Sequence, residues 1–299
     1  MSVFADLHTT VISWYAVQAR DLPWRRPGTT PWGVLVSEVM SQQTPVSRVA
    51  PVWEQWMARW PRPHDLAAAA PADVLRAWQR LGYPRRALRL RECAAAVVER
   101  FAGAVPMTEE ELRTLPGVGE YTAAAVASFA HGRRALVLDT NVRRVLGRVV
   151  EGRALPPPCL TVAERRRAAA LLPQDAALSV RWNEGVMELG AQVCTARAPR
   201  CDACPVADRC RWRLAGAPAD PDARRRRGQP WHGTDRQARG RIMARLRALP
   251  DGASLAEDEL LAPLRTASTD PGQPERALAS LLVDGLVAEP VAGRYALPT

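Results

Sequence analysis

Residues 115–139 read LPGVGEYTAAAVASFAHGRRALVLD, and few folds accommodate such a run. Pro116, Gly117 and Gly119 separate an acidic, leucine-containing segment, 109–115, from an alanine-rich one, 121–130, so two helices meet here at a tight glycine hairpin. Glycines at such a turn let the backbone take positive φ and approach another molecule closely, while the N–H groups opening the second helix face an anion. A phosphate held at Gly117 and Gly119 satisfies this pattern, and so does an ordinary corner between packed helices. The residues beyond the second helix favour the phosphate: the apolar run Leu136-Val137-Leu138 carries Asp139 into partly buried surroundings, with Asn141 and the Arg143-Arg144 pair close behind.

The charge balance narrows the partner. A formal charge of +10 over 299 residues, spread through most of the chain, and a pI near 10.3 point to a polyanion, nucleic acid first. All 41 basic residues are arginine. Arginine favours bidentate contacts with phosphate, and a chain without lysine forms no lysine Schiff base with a sugar aldehyde. With 47% hydrophobic residues the chain has material for one large core or two smaller ones. No apolar run of 18 residues suggests a membrane span, and the N-terminal residues lack a basic, cleavable leader, so a reducing cytoplasm is the expected compartment.

Taken in order, residues 3–19 have helical apolar spacing and end at Arg20-Asp21-Leu22-Pro23-Trp24-Arg25. A tryptophan beside arginine on a loop suits both core packing and base stacking. Residues 31–44, PWGVLVSEVMSQQT, set Glu38 and the Gln42-Gln43 pair in an apolar helix. An unpaired buried charge there costs on the order of several kcal/mol, so Glu38 is either on a polar face or a general acid of raised pKa. Residues 45–100 are helical with breaks at Pro61-Arg62-Pro63, Pro71 and Leu81-Gly82-Tyr83-Pro84; Trp53, Trp56, Trp60 and Trp78 recur at core spacing. The last break exposes Tyr83 beside Arg85 and Arg86, a combination suited to insertion beside DNA bases. Helices are also expected from Val142, over 163–172, and over 182–193, where Glu184, Met187 and Glu188 share a turn.

Cys194, Cys201, Cys204 and Cys210 then appear with spacing C-x6-C-x2-C-x5-C. Four cysteines so close, without an export signal, indicate metal rather than disulfides. A four-thiolate zinc site and a [4Fe-4S] cluster both fit the spacing. Cys93 and Cys159 read as isolated buried thiols, and no histidine shows metal-ligand spacing.

Together LPWR, SEVMSQQT, LGY, LPGVGEYTAAAV, LDTNVRRVL, NEGVMELGAQVC and the four cysteines resemble the helix-hairpin-helix DNA glycosylases with an iron-sulfur cluster, related to endonuclease III, and within them the MutY-type adenine glycosylases. The resemblance spans about residues 20–210. It implies an all-α, two-lobed domain, 1–214, gripping double-stranded DNA and an extruded adenine between its lobes, with a [4Fe-4S] cluster at 194–210. It implies bacterial base excision repair at the nucleoid, acting on adenine opposite 8-oxoguanine or guanine; the oligomeric state is open, with a monomer the default. Glu38 matches the acid that protonates adenine, Asp139 the carboxylate that stabilises the oxocarbenium ion, Asn141 its positioning partner, and Tyr121 a residue of the catalytic pocket. Arg20, Trp24, Arg25, Glu184 and Met187 match the adenine-holding side; Gln43 and Tyr83 match the wedge beside the opposing lesion. Tyr121 stands where the endonuclease III branch has lysine, which implies glycosylase action without a lysine-dependent lyase step.

The resemblance is broken at two places. Pro84 stands where a second tyrosine is common, and the usual pyrophosphohydrolase-like C-terminal domain, which checks for 8-oxoguanine, does not appear. Instead a Pro/Ala/Arg-rich linker, 215–233, with Arg224 to Arg227, leads into three helices near 234–249, 255–264 and 274–285 and a two-stranded hairpin over 287–297 turning at Ala292-Gly293. This is the order of a winged helix, serving as packing, as a DNA contact or as a dock for a repair partner. A regulator-like, catalytically silent DNA-binding protein is the competing reading; Glu38 and Asp139 occurring together favour the enzyme.

Overall fold

Prolines and short polar caps place the helix starts. The computed structural model describes residues 5–220, 222 and 231–299, so Arg224 to Arg227 and much of the linker lie outside the described residues. Helix α1 spans Ala5–Gln18 and α2 spans Pro31–Ser41. Then come α3 (Val46–Arg59), α4 (Pro63–Ala67), α5 (Pro71–Ala77) and α6 (Arg85–Phe101). Pro63 and Pro71 sit in the first turn of their helices, where a missing N–H costs nothing. Helices α7 (Glu109–Leu112), α9 (Thr140–Leu146), α10 (Val162–Leu171) and α11 (Ala176–Gln192) begin at Thr108, Asp139, Thr161 and Asp175, each of whose side chains accepts the backbone N–H of the residue three further on. Helix α8 (Glu120–Phe129) follows the glycine hairpin, and α12 (Arg211–Leu214) follows the cysteine loop.

The chain forms two compact units. The first comprises Met1–Glu38, Pro106–Thr114 and Val118–Arg227; the second comprises Val39–Val105, Leu115–Gly117 and Gly228–Thr299. In the first, α1, α9 and α11 pack around Val11, Val145, Trp182, Val186 and Leu189, and the cysteine loop closes over Val206 and Trp212. Helix α11 starts six residues before the expected Trp182, because Asp175 caps it. In the second, Trp53, Trp56, Trp60 and Trp78 are all buried, as their spacing predicted, each worth about 1.5–3 kcal/mol for a large apolar side chain. The Trp56 ring meets Trp60 and Trp78 edge-on at 4.9 and 5.5 Å. Cys93 is buried as expected, whereas Cys159 is exposed in the loop before α10.

The C-terminal residues fold as α13 (Asp235–Arg247), β1 (Leu255–Ala256), α14 (Glu257–Ala267), α15 (Gln273–Val283), β2 (Ala288–Val291) and β3 (Arg294–Ala296). The sheet has three strands in the order β1-β3-β2, all antiparallel, rather than the two expected. Two-residue strands carry too short an alternation to be read from sequence, and β1 is held by pairing with Arg294 and Tyr295. This module belongs to the same compact unit as residues 39–105, whereas the sequence boundary set it apart. Arg76 pairs with Asp251, Arg85 and Arg239 share Asp284 at 3.0 and 2.6 Å, and Arg247 donates to the Gln79 carbonyl at 2.6 Å.

Candidate active site

Helix α2 is apolar on nearly every side, and Glu38 is the acidic residue it carries inward. Its Oε2 accepts a 2.9 Å hydrogen bond from the Tyr121 hydroxyl, on the first turn of α8. Burial raises the Glu38 pKa from 4.5 to about 7; the Tyr121 bond opposes the rise, the Asp139 charge adds to it and the Arg25 charge opposes it. Close to neutrality such a carboxyl is divided between acid and carboxylate, which suits a group that gives a proton and takes one back. Burial also pushes the Tyr121 hydroxyl well above its ordinary value, with the Glu38 and Asp139 charges adding, so it remains a donor.

Asp139 is half-buried, as the apolar run before it predicted, and it also caps α9. Its Oδ1 accepts the Val142 N–H at 2.6 Å and its Oδ2 accepts the Asn141 amide at 2.7 Å. Burial raises its pKa, and these two bonds together with the Arg144 charge oppose the rise. Asn141 is fixed in turn: Arg144 donates to its Oδ1 at 2.7 Å, to the Gly190 carbonyl at 2.7 Å and to the Cys194 carbonyl at 2.7 Å. One buried guanidinium therefore ties the asparagine beside Asp139 to the first cysteine of the metal loop. Gly190 permits the close approach of α11 to α9; a Cβ there would stand 2.7 Å from the Asn141 Cβ.

The four cysteines line one pocket with Val145, Val149, Leu189 and Trp212. Among the described residues no three potential ligands converge on one ion's distance. Four thiols around an apolar pocket fit the all-thiolate donor set of an iron-sulfur cluster, which Cys194, Cys201, Cys204 and Cys210 would hold. Arg148, in the π-helical turn Gly147–Glu151, donates to the Cys194 Sγ at 3.3 Å and to the Thr195 carbonyl at 2.8 Å, and stacks on Trp212 at 4.5 Å. Its charge offsets that of thiolate ligands.

Sequence reasoning gives Glu188 no functional role, although it lies one turn from Glu184. It is 0% exposed, and its carboxylate accepts from Arg20 at 2.6 and 3.0 Å, from Arg25 at 3.0 Å and from Gln192 at 2.7 Å. Burial pushes its pKa up, but the Arg20 bond and the Arg25 and Arg20 charges outweigh it and hold it below the ordinary range. Arg20 and Arg25, expected on the adenine-holding side, are thus anchored on a buried carboxylate, which needs such partners. Glu184 is bonded to Tyr15, and burial raises the pKa of both, Tyr15 to about 12. Trp24 is half-buried on the turn Pro23–Arg25, and Met187 packs against the core of the first unit.

In the second unit, Gln43 and Tyr83 are exposed and both hold left-handed backbone, φ 54° and 47°. Neither is glycine, so each conformation costs about 1–3 kcal/mol. Arg86 stabilises both turns, donating to the carbonyls of Val39, Met40 and Gln42 at 2.6–3.2 Å and to Thr44 Oγ1 and the carbonyls of Leu81 and Gly82 at 3.0–3.2 Å. Burial lowers its pKa to about 10. At the hairpin, Gly117 takes positive φ of 77°, as expected; Gly119 does not, since it caps α8 in extended backbone at φ −88°. What Gly119 provides is open space, for a Cβ there would meet nothing within 4 Å.

Comparison with known proteins gives the family and the fold. Residues 36–165 match the HhH-GPD superfamily of base excision DNA repair proteins, and residues 194–210 match the iron-sulfur binding domain of endonuclease III. The adenine DNA glycosylase of Mycolicibacterium smegmatis is 50% identical over 287 residues, 96% of this chain and 94% of that one. Among solved structures, a thermostable thymine-DNA glycosylase superposes with a TM-score of 0.63 at 25% identity, covering 71% of this chain and 97% of that one. A non-covalent endonuclease III-DNA complex superposes at 0.60 with 24% identity, covering 72% and 99%, which supports the fold.

Proposed function

Because the chain belongs to the adenine DNA glycosylase family of the HhH-GPD superfamily, we propose that it hydrolyses the N-glycosidic bond of adenine mispaired with 8-oxoguanine or guanine, leaving an abasic site. The observation that carries the reading is the Tyr121-bonded Glu38 with its pKa near 7, electrostatically coupled to Asp139. Protonated Glu38 gives its proton to a ring nitrogen of adenine, so the base leaves neutral as the C–N bond breaks and its electron pair stays with the base. The sugar becomes oxocarbenium-like, and the Asp139 carboxylate, held by Asn141 and the Val142 N–H, stabilises that charge. Water adds to the sugar and its proton passes to the Glu38 carboxylate, restoring the acid.

The remaining residues hold the substrate. Trp24, Glu184 and Met187 face adenine, with Arg20 and Arg25 acting from their seat on Glu188. Gln43 and Tyr83 wedge into the duplex, and the N–H groups at Gly117 and Gly119 hold a phosphate. The [4Fe-4S] cluster on Cys194, Cys201, Cys204 and Cys210 supplies a rigid, charged support for DNA positioning and no step of the hydrolysis. Tyr121 in place of an amine, in a chain without lysine, supports monofunctional action with no lysine-dependent strand cleavage. The protein acts as a monomer.

The test is single-turnover release of adenine from duplexes carrying A opposite 8-oxoguanine, G or T, with protein whose visible absorption shows the cluster. Release from the first two and not the third is expected, with no borohydride-trapped adduct. Tight binding without release from any of them would overturn the enzymatic reading.

A further inference from the structure

The Tyr83 ring is the inner end of a ladder that continues into the C-terminal module. Arg86 lies 5.5 Å from the ring centroid and Arg236, in the first turn of α13, lies 4.5 Å from it; Arg236 also lies 5.3 Å from the Trp231 ring. The Trp231 carbonyl accepts from the Thr234 hydroxyl at 2.9 Å, which fixes the tryptophan just ahead of the helix. Elsewhere in the module Arg239, Arg265 and Arg276 are paired with carboxylates. Arg236 has no carboxylate partner among the described residues and is exposed between two rings that are themselves 41% and 48% exposed. Two large aromatics, each about half exposed, thus bracket a planar cation that no carboxylate among the described residues neutralises. They match a nucleobase face and the acceptor edge or phosphate beside it.

We propose that Trp231 and Arg236 form a second reading element for the mispair, in which the C-terminal module contacts the nucleotide opposite the adenine. The partner is nucleic acid rather than protein because the ladder is continuous with exposed, left-handed Tyr83 and because the chain carries +10 net charge. Trp231 stacks on a base or sugar of that strand, and the Arg236 guanidinium donates to the carbonyl edge of the purine, as arginine does to guanine. The proposal rests on the glycosylase reading for the identity of the mispair and for the place of Tyr83 beside the opposing nucleotide.

The test uses the full chain with its cluster and duplexes in which a non-cleavable 2′-fluoro-adenosine stands opposite 8-oxoguanine, G or T. Fluorescence anisotropy gives each dissociation constant, and a 2-aminopurine beside the partner base reports its unstacking. Trp231→Ala and Arg236→Ala are expected to weaken binding to the two mispairs by about tenfold, the effect of one lost stacking contact, with less than about a threefold effect on A opposite T. Trp231→Phe is expected to recover most of the loss and the 2-aminopurine signal; Arg236→Lys keeps the charge and is expected to recover binding to A opposite T more than mispair selectivity. Unchanged mispair selectivity in both alanine variants, with wild-type protein selective, would overturn this proposal and leave the glycosylase reading intact. Absence of selectivity and of adenine release in the wild type would instead remove the reading beneath it.

Discussion

Replacing Tyr121 with phenylalanine removes a single hydroxyl and tests how Glu38 is tuned. In the proposed mechanism the acid for adenine departure is Glu38 in its protonated form, with a pKa raised to about 7, so the single-turnover rate should fall as pH rises through about 7. The Tyr121 bond at 2.9 Å favours the carboxylate and holds that value down. A hydrogen bond to a charged group contributes about 1.5–3 kcal/mol, equivalent to about one to two pH units. The alkaline limb of Tyr121→Phe should therefore move to higher pH by about one unit, while activity on the acid side is retained. Stability carries a matching sign. A carboxyl whose folded pKa is raised binds its proton more tightly in the folded state, so its contribution is full below the unfolded value of 4.5 and is lost as pH rises to about 7. Glu38→Gln should thus leave stability unchanged below about pH 4 and raise it at about pH 8, by an amount on the order of 3 kcal/mol for the whole rise. Rate profiles from about pH 5 to 9.5 and urea unfolding at both pH values measure the two effects. A Tyr121→Phe limb that stays in place or moves to lower pH would refute the assignment of Glu38 as the acid.

The supports of the site respond in their own ways. In the proposed mechanism Asp139 acts as a carboxylate, and because burial raises its pKa, activity should also fall toward acid pH; Asp139→Asn should retain mispair binding and lose adenine release in single-turnover assays. Glu188→Leu strands two arginine charges around a buried site and should cost about 3–5 kcal/mol in chemical denaturation. Gly190→Ala drives a methyl against Asn141 and should destabilise by about 1–3 kcal/mol, with a larger fall in excision rate than in mispair affinity. Arg144→Met leaves three carbonyl-type acceptors unpaired between Asn141 and Cys194 and should slow excision and hasten loss of cluster absorbance together.

Residues whose chemistry is local were readable without coordinates. The hairpin at Gly117, the four cysteines and Glu38 on an apolar helix each follow from spacing and polarity, and the tryptophan run of residues 53–78 announced its own core. Long-range partners were not readable. Nothing in the sequence near Arg20 signals that its carboxylate lies 168 residues away on α11, and Arg144 looks like one more arginine in a chain of 41 until three acceptors from separate segments surround it. Gly119 shows the opposite error, where a glycine expected for its positive φ is present for the room it leaves. The C-terminal module was legible as three helices and a hairpin, but its attachment to residues 39–105 depends on ion pairs such as Arg85 with Asp284, whose partners periodicity does not reveal.

If Gln43 and Tyr83 wedge into DNA as proposed, the Arg86 clamp bears on how they meet a duplex. Gln43 and Tyr83 already occupy their unfavourable backbone wells in the free protein, where six hydrogen bonds from one side chain hold them. The conformational cost was met during folding, so an encounter with a duplex need not meet it again. A wedge of this kind would act as a fixed gauge, which a well-stacked step resists and a weakened one admits. Loosening Arg86 would turn the gauge into a flexible loop that has to order itself at every base pair it visits.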